Sequence, residues 1–254
     1  MNIIVIAGLV PDLVEELEIN PSGTALDTTW LRMIINEFDD HAIEQAILLK
    51  ERNGGHVTVI AIDQEGIDEV LFTAAAKGAD QLIKLLGEFE DGINSHALAR
   101  TFATVIKDLE ADLILTGVQA NTNIDGSVAP LLASVLDMPY VGYISGVNIA
   151  DGKAIVKKEY PGGLIGEMEV SFPAVLGIQA SEEPPRYVAV SKVRQSMKTV
   201  TIKEQDAAEL DLSGGLAVSR MFLPETTERA TMIEGSEDEI ADKLVELFKE
   251  IGTL

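Results

Sequence analysis

Short, nearly continuous apolar runs recur along the chain at residues 2–8, 56–62, 81–86, 112–116 and 174–178. Runs of this length without polar alternation are the pattern of strands buried on both faces. Segments of helical period separate them. Residues 39–52 place Ile43, Ala46 and Ile47 at i, i+3 and i+4, and residues 94–109 build a similar stripe from Leu98, Phe102, Val105 and Ile106. Strand–helix alternation predicts an α/β fold around a parallel sheet.

Other patterns interrupt this core. Residues 13–27, centred on Asn20-Pro-Ser-Gly, read as a two-stranded excursion around a turn. Gly54-Gly55 and Gly78 fall where helices are expected to end. Residues 140–175 alternate apolar and polar positions, broken by Asp151-Gly and Pro161-Gly-Gly, and predict an antiparallel β ribbon attached to the core. After Glu182-Glu-Pro-Pro the regularity weakens. Near the end Ile240, Leu244, Leu247, Phe248 and Ile251 form one apolar stripe, with Ser236 and Glu239 as a capping box and Gly252 as the stop. This helix lies behind the flexible-looking stretch 213–235, and its stripe is suited either to its own body or to clasping a partner subunit. The expected organisation is an α/β core over 1–212 and a C-terminal arm over 213–254 ending in the helix.

Composition narrows the function classes. With 254 residues, 46% of them hydrophobic, the chain buries a substantial core. Against 19 basic residues stand 42 acidic ones, and the net charge of −23 opposes nucleic acid as a partner. Cysteine is absent, which excludes disulfides, thiolate nucleophiles and cysteine-ligated metal. His41, His56 and His96 show no metal-ligand spacing and read as surface or capping residues. The N-terminus reads as a first strand, neither signal peptide nor membrane span, and the expected location is cytoplasmic without membrane insertion. No Ser-His-Asp, Cys-His or paired-carboxylate constellation assembles, so no catalytic residue and no metal site are expected.

The most informative stretch is Asp112-Leu-Ile-Leu-Thr-Gly117, a polar loop, and then Gly126-Ser127 opening a helix. A buried strand ending in glycine, followed by a helix start, offers free backbone N–H groups and a helix dipole to a phosphate. The carboxyl end of a parallel strand is where open α/β sheets bind ligands. Gly-Ser also opens helices that hold no ligand. The chain lacks G-x-G-x-x-G after its first strand and lacks G-x-x-x-x-G-K-[ST] throughout. The Gly117-x8-Gly126-Ser127 spacing instead resembles the adenine-nucleotide loop of universal stress proteins and of electron transfer flavoproteins.

Several separated stretches favour the second family, and together they resemble its β subunit along almost the whole chain. They are Val10-Pro11-Asp12 with the Ile-Asn-Pro-Ser-Gly-Thr segment at 19–24; Asn36-Glu-Phe-Asp, with Glu37 where a proline is usual; and Ala75-Ala-Lys-Gly-Ala-Asp80. Thr116-Gly-Val-Gln-Ala120 follows, then Val156-Lys-Lys-Glu159 through Gly162-Gly163 to Phe172-Pro-Ala-Val175, with Pro161 at a usually acidic position. Pro185-Arg-Tyr187 and the ending Leu247-Phe-Lys-Glu-Ile-Gly252 complete the series.

The resemblance implies a Rossmann-like adenine-nucleotide-binding core in a heterodimer with an α subunit that holds the redox-active FAD. This chain would bind AMP, or a second FAD, among Ile6, Asn36, Phe38, Asp39, Ile62 and the loop residues Gly117, Gln119, Ala120, Asn121, Thr122, Asn123, Asp125, Gly126 and Ser127. Phe38 would face the α-subunit flavin; for Phe38 and Ile62 plain core packing is the alternative. Glu159 matches a position that influences docking of the flavin domain. A partner-recognition loop over about 186–198, anchored by Val190 with Lys192 and Arg194, would grip a flavin-dependent dehydrogenase. Thr122 and Ile124 replace the family's aspartates and Ser127 its glutamine, which leaves AMP as the particular nucleotide open. The basic cluster is thinned to Lys192, Arg194 and Lys198, which points to a different dehydrogenase partner.

The implied role is an electron shuttle from a flavin dehydrogenase, the acyl-CoA type being one candidate, to a quinone reductase or other acceptor. Flavin supplies the chemistry and the protein supplies burial and orientation. Two readings compete: a universal-stress-type ATP- or AMP-binding protein, and a scaffold subunit that has lost its nucleotide.

Overall fold

A computed structural model of the chain describes every residue except 90–92, 124, 208–210, 225–229, 231 and 254. Along its first half run β1 (Asn2–Ile6), β2 (Leu9–Pro11), β3 (Met33–Ile35), α1 (Glu37–Asn53), β4 (His56–Ile62), α2 (Ile67–Lys77), β5 (Gln81–Leu86), α3 (Ser95–Ile106) and β6 (Leu113–Gly117). There follow α4 (Val128–Leu136), β7 (Tyr140–Ala150), β8 (Lys153–Tyr160), β9 (Leu164–Ser171), β10 (Ala174–Ile178), α5 (Val190–Thr199), β11 (Ile202–Asp206) and α6 (Glu237–Glu250).

The apolar runs are strands because both of their faces are covered. Ile3 and Val5 of β1 join Val57, Val59, Leu113 and Leu115 in one core, which α1 completes with Ala42, Ile43, Ala46 and Ile47. Ile4 and Ile6 point the other way, into a second core with Ile60, Ile83 and Ile114, under Leu98, Phe102 and Ile106 of α3 and Leu132 of α4. Period-two alternation thus divides a uniformly apolar strand between two layers.

These strands join one nine-stranded sheet in the order β11-β5-β4-β1-β6-β10-β7-β8-β9. From β11 through β7 every neighbouring pair is parallel, and β7-β8-β9 form the expected antiparallel ribbon. The chain leaves β1 toward β4 and β5 on one side and returns to β6 on the other. The gap between β1 and β6 is therefore a topological switch point, open at the strands' carboxyl ends.

Three local expectations are corrected. The excursion does not form its own two strands: Ile19 and Leu26 make a single bridge, and the paired strands are β2 and β3, which frame it. Buried Leu9 and Val10 in β2 give this pair the apolar footing that the excursion lacks. The segment expected as a partner-recognition loop is mostly the helix α5, which packs on α2. Unbranched Lys192, Arg194, Gln195, Met197 and Lys198 favour helix, and its buried face is as small as Ser196. Finally, β11 continues the sheet where regularity had been expected to fade, pairing with β5 from Ile202↔Leu82 to Asp206↔Leu86.

Two compact units divide the chain, Met1–Met221 and Phe222–Leu254. The second carries α6, capped by Ser236: its Oγ accepts from the Glu239 N–H while the Glu239 carboxylate accepts from the Ser236 N–H at 2.8 Å. No residue of α6 is buried, and Leu247, Phe248 and Ile251 of its apolar stripe are exposed. Among the described residues no helix is long and apolar enough to cross a membrane.

Candidate functional site

At the switch point the ends of β1, β4 and β6 meet the first turn of α1. Asp39 ties β1 and β6 to that turn. Its Oδ2 accepts from the Gly8 N–H at 3.0 Å and its Oδ1 from the Gly117 N–H at 2.8 Å. Asn36, which precedes α1, donates its backbone N–H to the Gly8 carbonyl and its Nδ2 to the Gln119 carbonyl at 2.9 Å. Two neighbouring side chains thereby fix the end of β1 and the loop after β6. Glycine is required at position 117 by close approach, since a Cβ there would lie 2.4 Å from Asp39 Oδ1 and 2.7 Å from Phe38 Cβ.

Asp39 is buried, and burial pushes its pKa up to about 7; the hydrogen bond from the Gly117 amide, then those from Asn36 and Gly8, pull the other way. Its position in the first turn of α1, where the helix dipole favours negative charge, also supports the ionised form.

Above this floor opens a cavity of about 560 Å³. That volume lies within the roughly 300–1,000 Å³ of small-molecule sites. Ile6, Ile62, Thr116 and Gly117 line it from the strand ends, and Val128 and Ala129 from the first turn of α4, whose leading N–H groups have no carbonyl within the helix. The remaining wall is largely apolar, and among the described residues the lining includes no Lys or Arg. A phosphate here would meet backbone N–H groups, and a flat base would meet aliphatic and aromatic side chains.

A family model described as "Electron transfer flavoprotein domain" matches residues 25–210. The chain belongs to the electron transfer flavoprotein family. Its relatives place it on the β side: it is 32% identical to the "Electron transfer flavoprotein subunit beta" of Methylophilus methylotrophus, with 98% of each chain covered. The protein of the same name from Bacillus subtilis is 29% identical, again over 98% of both chains. The "Caffeyl-CoA reductase-Etf complex subunit CarD" of Acetobacterium woodii is 31% identical over the same shares. Matches of this length run through the ribbon and the C-terminal arm, which a universal-stress-type protein leaves without counterpart, and that alternative is not favoured.

Of the residues that the flavoprotein resemblance pointed to, Ile6, Asn36, Asp39, Ile62, Gly117, Gln119, Ala120, Asn121, Thr122, Asn123 and Gly126 all line the cavity. Phe38 does not; it packs beside Gly117. Asp125 accepts from Ser95 Oγ at 3.0 Å, and Ser127 Oγ donates to the Asp125 carbonyl at 3.3 Å without capping α4, so both side chains are engaged beside the cavity. Ile124 lies outside the described residues.

Glu159, Val190, Lys192 and Arg194 are exposed but are not brought together. Glu159 sits on β8 near one edge of the sheet, whereas α5 packs on α2, which covers β4 and β5 toward the other. The approach to α5 is clamped along α1: Ser181 N–H donates to His41 Nδ1, Glu182 N–H to Gln45 Oε1, and Arg186 to Glu44 and Glu51. The paired Glu51 and Glu44 carboxylates hold the Arg186 guanidinium's pKa well above its usual value.

Sequence reasoning missed several cavity walls. Leu13, Leu17, Thr24, Ala25 and Leu26 come from the excursion, Phe89, Ile93, Leu98 and Phe102 from β5–α3, and Val218 and Met221 from beyond β11. Leu98 and Phe102, on the apolar stripe of α3, also belong to the core. No local spacing distinguishes such residues; only their convergence does.

Proposed function

We propose that this β-type subunit pairs with a larger α subunit that holds the redox-active FAD, and that it keeps AMP, or a second FAD, in its own cavity at the switch point. The pair carries electrons in the cytoplasm from a flavin-dependent dehydrogenase, such as an acyl-CoA type, to a quinone reductase or another acceptor. Flavin supplies the redox chemistry, and this chain contributes no catalytic side chain of its own; its residues bind, orient and exclude water.

The observation that carries the reading is the Asp39 bridge. It gathers Gly8, Gly117 and, through Asn36, Gln119 around one opening at the carboxyl ends of parallel strands. The residues present fit a nucleotide: the backbone N–H groups of Val128 and Ala129 at the start of α4 for phosphate, and apolar walls for the base. The exposed positions Glu159, Val190, Lys192 and Arg194 are read as partner contacts, with α5 as the recognition element, and the unit Phe222–Leu254 as the clasp on the α subunit. The apolar stripe of α6, Ile240, Leu244, Leu247, Phe248 and Ile251, suits such a contact.

Co-expression with an α-type subunit, followed by identification of the nucleotides released from the purified pair, tests the proposal. One FAD and one AMP per pair supports an ordinary carrier, and two FAD supports electron bifurcation. No adenine compound beyond the FAD of the α subunit defeats the nucleotide site and leaves a scaffold.

A further inference from the structure

Resting on the reading of the cavity as an adenine-nucleotide site, we propose that Val218 and Met221, on a strap formed by residues 211–221, contact the bound nucleotide and set the grip on its base. The strap is tied at two places. At its near end Asn94 Nδ2 donates to the carbonyls of Leu212 and Gly214, and Arg100 Nη2 to those of Asp211 and Ser213. At its far end the Met221 N–H donates to the Gly23 carbonyl at 2.7 Å.

Each anchor stands beside a wall of the cavity. Asn94 heads α3, from which Leu98 and Phe102 project into the lining, and Gly23 adjoins Thr24, Ala25 and Leu26 of the opposite lining. The segment is thus held at both walls, and Val218 and Met221 line the cavity from it. The path turns at Gly214 and Gly215, with φ of 76° and 80°, and a Cβ on Gly215 would lie 3.0 Å from Asn94 Cγ, so side chains are unwelcome where the strap leaves its first anchor.

Val218 is 54% exposed, so a ligand in the cavity covers apolar surface that now meets solvent. Neither side chain offers a hydrogen-bond donor, which directs both to the faces of the base or sugar and leaves phosphate to the start of α4. The strap thus supplies contacts that lie outside the loop and strand ends to which the family resemblance points.

Calorimetric titration of the full chain with AMP and with FAD tests this, comparing the parent with Val218→Asp, Met221→Ala and a control, Leu216→Asp, whose side chain is 78% exposed and outside the lining. Kd for the nucleotide that the parent binds is expected to rise about tenfold in each of the first two variants, the scale on which one buried aliphatic side chain acts. It is expected to stay unchanged in the control, while hydrogen exchange at the Met221 amide slows when nucleotide is added. Parent-like affinity in both Val218→Asp and Met221→Ala, with unchanged exchange, overturns the strap assignment and leaves the nucleotide site standing. A parent that binds neither AMP nor FAD overturns both.

Discussion

Arg186 donates to Glu44 twice, from Nε at 2.9 Å and from its backbone N–H at 2.9 Å, and Glu44 is only 2% exposed. The buried carboxylate belongs to α1, whose first turn floors the cavity, and the arginine belongs to the connection that leads into α5. One ion pair therefore fastens the segment proposed to meet a partner onto the helix proposed to meet the nucleotide.

Arg186→Ala leaves Glu44 without its counter-charge inside the fold. Stranding a buried charged acceptor costs about 3 kcal/mol. The expected outcome is a lower urea midpoint together with faster amide exchange across 181–199. Arg186→Lys restores charge but not the fork to Glu51 and is expected to recover only part of the loss. A parent-like midpoint in Arg186→Ala would show that the clamp is dispensable.

Gly117→Ala places a methyl group against Asp39 and Phe38, and α1 must shift to admit it. Overpacking of this kind costs typically 1–3 kcal/mol, so a drop of about that size is expected in chemical denaturation, with weaker AMP binding. Normal stability and binding together would contradict the close approach of α1 to β6.

Burial raises the Asp39 pKa to about 7 from 3.8, so between roughly pH 4 and pH 7 the folded chain holds a proton here that the unfolded chain has released. Stability contributed by this group is present below that window and is lost as pH rises through it. Asp39→Asn lacks the titration, and its amide can accept from only one of the Gly8 and Gly117 N–H groups. The parent's advantage over Asp39→Asn in denaturation midpoint is expected to be larger at pH 5 than at pH 8, and a gap that stays constant or widens with pH would contradict the raised value.

Because no Lys or Arg among the described residues lines the cavity, nucleotide affinity should not depend on an ion pair that salt can screen. The chain's net charge of −23 repels anions at a distance, and salt weakens that repulsion. Titrations from low to high ionic strength are expected to show AMP affinity level or rising, and adenosine keeping much of the affinity of AMP. A steep fall with salt would reveal a cation at the phosphate.

What could be read from sequence followed burial. Strands such as β1 and β4 announce themselves because Ile3 and Ile4, or Val59 and Ile60, are buried on opposite faces and leave no polar alternation. At the sheet edge β11 offers no such run: Lys203 and Glu204 face solvent, and its place is fixed by pairing with β5. The helix α5 hid for a related reason, since its apolar Val190 and Met197 are exposed and a serine faces inward. In the candidate site, the loop after β6 stood out through its glycines and polar residues, whereas Asn36 and Asp39 came forward only through family resemblance. Their hydrogen bonds reach to Gly117 and Gln119, far along the chain, and no local pattern encodes a partner at that distance.

The central place of β1 sets a timetable for folding. Its first residue, Asn2, donates its N–H to Asp112, 110 residues later, and Ile3 pairs with Leu113. A ribosome adding roughly 5–20 residues per second leaves β1 with one open edge for on the order of ten seconds. During that interval β1 can pair only with β4, so half of the switch point exists before the other half has been made. The cavity is thus a late product of synthesis: Asp39 must await Gly117, and ligand capture follows the closing of the sheet.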